Sequence, residues 1–306
     1  MATVQQRRRS VITRRQVRSW ITGYLFVLPV ILGILLFTLY PMGMSLYYSF
    51  TKYDILSAPR WVGFGNYQRL FQDNLFWTSL SVTFRYALIS VPLNLILSGL
   101  LSVLLNRPVR GIGIYRVIFY IPVVVPVIVA AFLFKDLYNP DSGLINSLLR
   151  LVGLPGYTWL SRPESALTSL IVMNIWGIGA GTIIWLAGLR SIPQYLYEAA
   201  LIDGASPLQR FMNITIPMLT PVIFFNLVLG IIAGLQVFVQ GYVLTAGGPD
   251  NSTMFFVLNI FNQAFVNFKM GYASAMAWVL FIIIAAFTAV IFRTSGWVYY
   301  EGGERR

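Results

Sequence analysis

The chain has 306 residues, of which 57% are hydrophobic and only 10% are charged, and its mean hydropathy is +0.72. Soluble domains carry about 25% charged residues, so this composition indicates a polytopic membrane protein. The net charge of +12 lies between long apolar runs and not on a polar surface, which argues against nucleic-acid binding. Without cysteine or histidine, the chain cannot build thiolate nucleophiles, imidazole bases or zinc sites from these residues.

Six long segments contain no Asp, Glu, Lys or Arg. A transmembrane helix takes about 20 apolar residues, and a charge at the bilayer centre costs about 2.5 to 3.5 kcal/mol. We therefore predict an all-α integral membrane protein whose single membrane domain, 20–293, lies between a basic tail, 1–19, and a C-terminal tail, 294–306. The predicted transmembrane helices are about 20–48, 78–105, 115–134, 165–189, 217–244 and 270–292.

The first helix follows an Arg-rich tail, as the apolar region of a signal peptide does. That region has only about 7 to 15 residues, whereas this apolar run continues through Tyr48. We therefore interpret it as a membrane anchor. A mitochondrial presequence is a second interpretation of the tail itself.

Lys and Arg are distributed unevenly between the two sides of these helices. Fourteen of the 22 lie in the N-terminal tail, the second and fourth connections and the C-terminal tail, and seven lie in the other connections. Because cytoplasmic segments collect Lys and Arg, both termini are predicted to be cytoplasmic. The remaining cation, Arg85, lies near the outer end of the second helix, where we expect it to reach the headgroups or to pair with Asp73.

The fourth helix carries polar and small residues near its middle. Asn174 and Trp176 precede three glycines, Gly177, Gly179 and Gly181. The bare backbone at these glycines allows close helix packing or a kink, and packing is the interpretation we favour. A direct contact of Asn174 and Trp176 with a solute is the alternative.

The cytoplasmic loop 190–216 is too polar for the bilayer and contains signals for two short helices. Gly204 follows Asp203 where a left-handed residue would end the first helix. Ser206 and Gln209 have the spacing of a capping box that would begin the second. The loop is thus predicted to form an L-shaped projection.

The projection would present a small-residue face flanked by carboxylates. The face consists of Ala199, Ala200 and Ala205, and the carboxylates are those of Glu198 and Asp203. Such a shape suits docking into a groove of another protein. A solvated helix without a partner is the alternative.

The same loop resembles the EAA loop of membrane subunits of binding-protein-dependent ABC importers. The residues that carry the resemblance are Glu198, Ala199, Ala200, Asp203, Gly204, Ala205, Phe211, Ile214, Pro217 and Pro221. In that family the loop contains the coupling helix, which inserts into a cleft of a cytoplasmic ATPase and transmits its closure to the pore. The resemblance implies a type I ABC importer permease fold, and it implies that residues 198–200 and 203–205 couple the chain to the ATPase.

Two further segments resemble the carbohydrate branch of these importers. They are Leu244, Thr245, Gly247, Gly248, Pro249 and Thr253, which match LTxGGPxxxT, and Gly63, Phe64, Asn66 and Tyr67 before the second helix. This resemblance implies uptake of a sugar, such as an oligosaccharide, with glycerol-phosphate or a polyol as the alternative solute. The implied location is a bacterial or archaeal plasma membrane, which removes the mitochondrial interpretation.

The implied partners are a second homologous permease, two cytoplasmic ATPase subunits, an extracytoplasmic solute-binding protein and the lipid bilayer. This chain itself would hold no cofactor, because ATP and Mg would bind to the ATPase. None of its three lysines, Lys52, Lys135 and Lys269, follows the glycines of a P-loop.

The fifth helix offers the groups that recognise carbohydrates, which are amides and aromatic rings. At about 100° per residue, Asn226, Gln236 and Gln240 share one arc of this helix. We predict that they bind the solute together with Phe238 and Tyr242. Hydrogen bonding between helices, worth roughly 0.6 to 2 kcal/mol, explains the amides equally well.

A seventh charge-free segment, 251–268, contains five amide side chains that would need partners in hydrocarbon. We therefore predict a short amphipathic helix outside the membrane core.

Two other classes of protein compete with the importer. A self-sufficient secondary transporter would place Asp, Glu or His within its helices, and a membrane-embedded enzyme would need catalytic groups at that depth. The predicted helices contain none of these residues. Both classes are disfavoured.

Overall fold

The computed structural model describes residues 14–299, and the rest of the predicted tails, 1–13 and 300–306, lies outside the described residues. The described part is mostly helical, in agreement with the predicted all-α class. Its first eight helices are α1 (Arg14–Ile34), α2 (Tyr40–Ser49), α3 (Gly65–Gln72), α4 (Asn74–Leu105), α5 (Ile112–Val124), α6 (Val127–Leu137), α7 (Leu144–Leu151) and α8 (Pro163–Trp176).

The second half of the described chain contains eight more α-helices and includes the loop 190–216. They are α9 (Gly179–Ser191), α10 (Gln194–Ile202), α11 (Pro207–Arg210), α12 (Ile216–Met218), α13 (Thr220–Leu235), α14 (Val239–Thr245), α15 (Phe256–Phe261) and α16 (Met270–Arg293). Shorter elements are π-helical turns at Leu35–Leu39, Phe211–Thr215 and Asn262–Val266, a 3₁₀ turn at Ser295–Trp297, and an antiparallel hairpin of β1 (Thr51–Lys52) and β2 (Arg60–Trp61).

Three uninterrupted helices are long and apolar enough to cross a membrane. They are Trp20–Ser49, which includes the first π-helical turn, then α4 and α16. From Trp20 to Tyr40 the side chains are exposed, apart from half-buried Gly33, as suits a helix surrounded by lipid. The next helix in the chain, α2, packs against α16.

The other three predicted transmembrane helices are broken, so the prediction of single helices there is wrong. The helix axis bends by 99° between α5 and α6, by 46° between α8 and α9, and by 61° at Leu219. The described residues thus contain up to six spans if each bent pair crosses as one. Hydropathy could not reveal the bends, because both arms of each pair are apolar.

The breaks have local causes. Pro126 cannot continue α5 and holds the preceding Val125 in an extended conformation, with ψ of 123°. The break between α8 and α9 lies at Gly177, which ends α8 and has no side chain that could pack against its neighbours. The predicted helix 217–244 breaks a second time between α13 and α14, where Phe238 has φ of −139° and ψ of −61°.

The segment predicted to form an amphipathic helix outside the membrane core is short, as expected, and it packs against α4. The Phe256 backbone N–H donates to the Thr83 hydroxyl at 2.8 Å, and the Asn259 amide donates to the Ser79 hydroxyl at 3.2 Å. Both Phe256 and Asn259 are buried. Hydroxyls on α4 thus supply the partners that these polar groups need, and the location of the segment outside the membrane core stays a prediction.

The two sequence segments that resemble the carbohydrate branch each close a turn. The Asn66 amide donates to the carbonyls of Ser49 and Thr51, each at 2.8 Å, and so fixes the end of α2. The hydroxyls of Thr245 and Thr253 lie 2.6 Å apart, and that of Thr253 donates to the Gly248 carbonyl at 2.7 Å. These hydrogen bonds give both motifs a structural role.

Asp73 does not pair with Arg85. One Asp73 oxygen accepts the Leu75 backbone N–H at 2.8 Å and begins α4, and the other accepts the Tyr272 hydroxyl at 2.6 Å. Arg85 is exposed and makes no ion pair within residues 14–299. Its contact with headgroups remains a prediction.

Candidate functional site

The first helix of the loop 190–216 ends as predicted. Gly204 has φ of +73°, its N–H donates to the Leu201 carbonyl at 3.1 Å, and the N–H of Ala205 donates to the Ala200 carbonyl at 2.9 Å. This pair of bonds is a Schellman motif, which needs a left-handed residue such as glycine. The chain therefore reverses sharply after α10.

The second helix of the loop begins with the predicted capping box. The Ser206 hydroxyl accepts the Gln209 backbone N–H at 3.3 Å, and the Gln209 side chain accepts the Ser206 N–H at 2.7 Å. Pro207 occupies the first helical position. A hydrogen bond of 2.8 Å between the hydroxyls of Tyr197 and Thr215 then holds the two arms together.

The predicted coupling residues lie at the outside of this projection. Glu198, Ala199, Asp203 and Gly204 are exposed, whereas Ala200 and Ala205 are half-buried, and all six lie on or beside the turn. Two apolar side chains there, Ile202 and Leu208, are 87% and 70% exposed. The described chain thus presents an apolar tip with two carboxylates, which another protein could cover.

The base of the projection is buried against the membrane helices. Trp185 and Leu189 of α9, Ile192, and Leu219 at the start of α13 form a hydrophobic cluster. Because α9 packs along α4 and α13 continues from Leu219, a force on the loop would be passed to both helices.

A cavity of about 370 Å³ lies between α4, α8, α13 and the start of α14. It is large enough for a small molecule, since such pockets range over about 300–1,000 Å³. Five of the seven candidate solute-binding residues line it, and these are Asn174, Asn226, Gln236, Phe238 and Gln240. The structure thus brings together side chains from two bent helices.

The other two candidates, Trp176 and Tyr242, do not line this cavity. Trp176 lies two residues after Asn174 and therefore on another helix face, where its ring packs 5.7 Å from that of Phe134. The ring of Tyr242 stacks on that of Phe238, with the ring centres 5.4 Å apart, and extends away from the cavity.

The three amides of the fifth predicted helix converge for a reason that differs from the predicted one. A shared arc assumes a continuous helix, yet the helix stops at Leu235. Gln236 and Gln240 reach the cavity because the chain turns after the end of α13. Asn226 lies on α13 itself, and its side-chain amide donates to the Val222 carbonyl at 2.9 Å.

A polar stripe on α4 forms another wall of the cavity, and the prediction missed it. Tyr86, Ser90, Asn94 and Ser98 all line the cavity. Their spacing of four residues places them on one face of a helix, a signal that was present in the sequence. The Asn94 amide donates to the Asn174 side-chain oxygen at 3.1 Å, which joins α4 to α8.

The cavity combines polar groups without charge. No charged side chain lines the cavity, and all of its lining residues belong to the described part of the chain. The Tyr86 side chain is 2% exposed, and its hydroxyl has no hydrogen-bond partner among the described residues. An unsatisfied buried hydroxyl is costly, and the polar side chains of Asn174 and Ser90 lie beside this one.

Glycines let the walls of the cavity approach one another. A Cβ on Gly230 would lie 3.0 Å from a Val91 methyl, and one on Gly181 would lie 3.1 Å from the Ser98 hydroxyl. Helix packing, the interpretation favoured from sequence, therefore explains these glycines, and Gly177 marks the predicted kink.

Cysteine labelling tests whether the amides line a water-filled path. In this cysteine-free chain, Asn226→Cys, Gln236→Cys and Gln240→Cys are expected to react with a membrane-impermeant thiol reagent in the resting or the ATP-trapped complex. Leu235→Cys is the control, because Leu235 is 2% exposed and faces protein. If all three amide positions remain unlabelled in both states, the cavity is not part of the path.

Comparison with known proteins identifies the family. Residues 96–299 match the family described as binding-protein-dependent transport system inner membrane component. The probable ABC transporter permease protein YesP of Bacillus subtilis (strain 168) is 44% identical over 290 residues, which cover 93% of this chain and 94% of that protein. The trehalose/maltose transport system permease protein MalF of Thermococcus litoralis is 38% identical, with coverages of 88% and 91%.

A solved structure agrees with this assignment. A chain of a bacterial ABC transporter involved in import of the acidic polysaccharide alginate superimposes with a TM-score of 0.81 and 25% identity, covering 92% of this chain and 97% of that one. Its fold is the importer permease fold predicted from the loop. The chain described here belongs to the family of binding-protein-dependent transport system inner membrane components and is a permease subunit of an ABC importer.

Proposed function

We propose that this chain forms half of the pore through which an ATP-driven importer moves an uncharged sugar into a bacterial or archaeal cell. The observation that carries the proposal is the cavity, whose lining offers amides, hydroxyls and two aromatic rings but no charge. Saccharides present hydroxyl groups that pair with amides and hydroxyls, and apolar faces that aromatic rings cover.

An anionic solute fits this cavity less well. Glycerol-phosphate or an acidic saccharide would bring a negative charge into a site that offers no Lys or Arg among its lining residues. A buried charge without a partner is costly. Glycerol-phosphate thus becomes the weaker alternative, although a polyol remains compatible with the lining.

The proposed mechanism couples the cavity to the exposed tip of the cytoplasmic loop. Closure of two partner ATPase subunits, which hold ATP and Mg, would move the docked tip formed around Glu198 and Gly204. The buried cluster at Leu219 would pass that movement to α13 and therefore to Asn226 in the cavity wall. The second wall of the pore would come from a homologous permease in a heterodimer.

The proposed topology places six spans with both termini in the cytoplasm and the binding protein on the other side. A rigid outer connection supports such docking. Asn146 donates to the Tyr157 carbonyl at 2.9 Å and accepts the indole N–H of Trp159 at 2.9 Å. The connection 138–162 is thereby held in one shape that a binding protein could recognise.

Uptake into vesicles tests the proposal. The complex of both permeases and the ATPase, with ATP on the cytoplasmic face, is expected to accumulate tritiated maltose, trehalose or lactose only when its binding protein is present on the other face. Uptake of sn-glycerol-3-phosphate should stay at background, because the cavity lacks a cation. Equal uptake without the binding protein, or outward movement, would contradict the importer. Accumulation of glycerol-phosphate alone would contradict the neutral solute.

A further inference from the structure

Four aromatic rings continue from the cavity toward the outer loops. Phe238 lines the cavity, and the ring of Tyr242 stacks on it at 5.4 Å with an interplanar angle of 15°. The ring of Phe261 lies 5.3 Å from that of Phe238 and 5.4 Å from that of Tyr242. The ring of Phe265 follows at 5.3 Å from Phe261. We call these four residues the aromatic ladder.

The outer members of the ladder are exposed, in contrast to aromatic side chains nearby in the sequence. Tyr242 is 47% exposed and Phe265 is 59% exposed, whereas Phe255 and Phe256 are fully buried in the core. Rings that only fill space between helices would be buried like the latter pair. The ladder instead keeps accessible ring surface next to the mouth of the cavity.

The ladder runs in the direction that an entering solute would take. Tyr242 lies one helical turn beyond Phe238, on the way to the outer turn at Gly247 and Gly248. Phe265 lies one turn beyond Phe261, just before the outer end of α16. Both helical segments therefore carry their second ring farther from the cavity than the first.

We propose that the aromatic ladder is an entry site for the sugar, on which the apolar face of a sugar ring stacks between the binding protein and the cavity. This inference rests on the proposed function. Successive rings of similar character offer similar, weak binding at each step, and such a series lets a solute pass without being held. Amides at the inner end, such as that of Gln240, then supply the hydrogen bonds that the ladder lacks.

Exchange of the outer rings tests the ladder in the vesicle complex with its binding protein. We use tritiated maltose, trehalose and lactose, and follow those that the wild-type complex accumulates. Tyr242→Leu and Phe265→Leu are expected to lower uptake per ATP hydrolysed by about two- to tenfold, the loss of one aromatic contact. Tyr242→Phe and Phe265→Tyr should restore it, because they keep the ring.

A matched control separates stacking from contact with lipid. Phe281 on α16 is 49% exposed but lies outside the ladder, so Phe281→Leu should transport like the wild type. An equal loss of uptake in Phe281→Leu, or no rescue of uptake by Tyr242→Phe and Phe265→Tyr, would overturn the proposal that the ladder is an entry site.

The remaining outcomes distinguish the ladder from the proposed function. Wild-type uptake by both leucine variants, together with lost uptake in Gln240→Leu, would refute the ladder and leave the cavity as the path. If Gln240→Leu also transports normally, or if the wild-type complex accumulates none of the three sugars, the proposed function fails and the ladder with it.

Discussion

Replacement of Gly204 with valine is expected to abolish solute-stimulated ATP hydrolysis while the protein still inserts into the membrane. Gly204 has φ of +73°, and the left-handed conformation costs a residue with a Cβ roughly 1–2 kcal/mol, with a further penalty for β-branching. Nothing lies within 4 Å of an added Cβ, so the effect is confined to the turn. The turn sets the angle between α10 and α11, and a distorted turn would displace the exposed tip from its partner.

The measurement is ATP hydrolysis by the reconstituted complex with and without the loaded binding protein. Gly111→Val is the matched control, because Gly111 has φ of +80°, equally open surroundings and a position in the connection between α4 and α5. Gly204→Asn should retain stimulation, since asparagine tolerates the left-handed region. Glu198→Lys, which reverses an exposed charge at the tip, should lose stimulation as Gly204→Val does. Full stimulation in both Gly204→Val and Glu198→Lys would rule out this coupling site.

Addition of a single methyl group at Gly179 is expected to destabilise the membrane domain. A Cβ there would overlap the Phe119 carbonyl oxygen of α5 and lie 3.0 Å from a Val123 methyl. The first obstacle is backbone and cannot rotate away, so α5 must separate from α9. Overpacking of this kind costs about 1–3 kcal/mol. The thermal midpoint and the folded yield of the detergent-purified complex should therefore fall in Gly179→Ala.

Gly177→Ala is the control for this substitution, two residues earlier in the same chain. The nearest group to its added Cβ is the Asn174 carbonyl oxygen at 3.6 Å, an ordinary contact, and Gly177 has φ of −91°. Gly177→Ala should keep a thermal midpoint close to that of the wild type. Equal midpoints for the two alanine variants would show that α5 does not contact Gly179 in the membrane.

The sequence predicted the features of this protein that depend on neighbours within a few residues. Long charge-free runs are sufficient to indicate membrane helices, because insertion depends on the summed hydropathy of one segment. The turn at Gly204 and the capping box at Ser206 join residues three to five positions apart, so their hydrogen bonds could be predicted from the order of residues. The family resemblance of the loop depended on these same positions.

Tertiary structure decided which side chains meet. The amide pair Asn94 and Asn174 joins residues 80 positions apart, and Asn259 reaches Ser79 across 180 positions. Neither contact leaves a local pattern, although the stripe on α4 was visible as a spacing of four residues. The hydroxyls of α4 that satisfy the polar groups of the short helix α15 could not be matched to it from sequence.

The bends had the same dependence on distant contacts. Proline and glycine mark where a helix can break, but the packing of neighbouring helices decides whether it does and by what angle. Pro92 lies inside the uninterrupted helix α4, whereas Pro126 separates α5 from α6 with a bend of 99°. Composition thus determined that this is a membrane protein. The bends and the faces of its helices, fixed only by packing, determined that Asn226, Gln236 and Gln240 share a cavity while Trp176 and Tyr242 lie outside it.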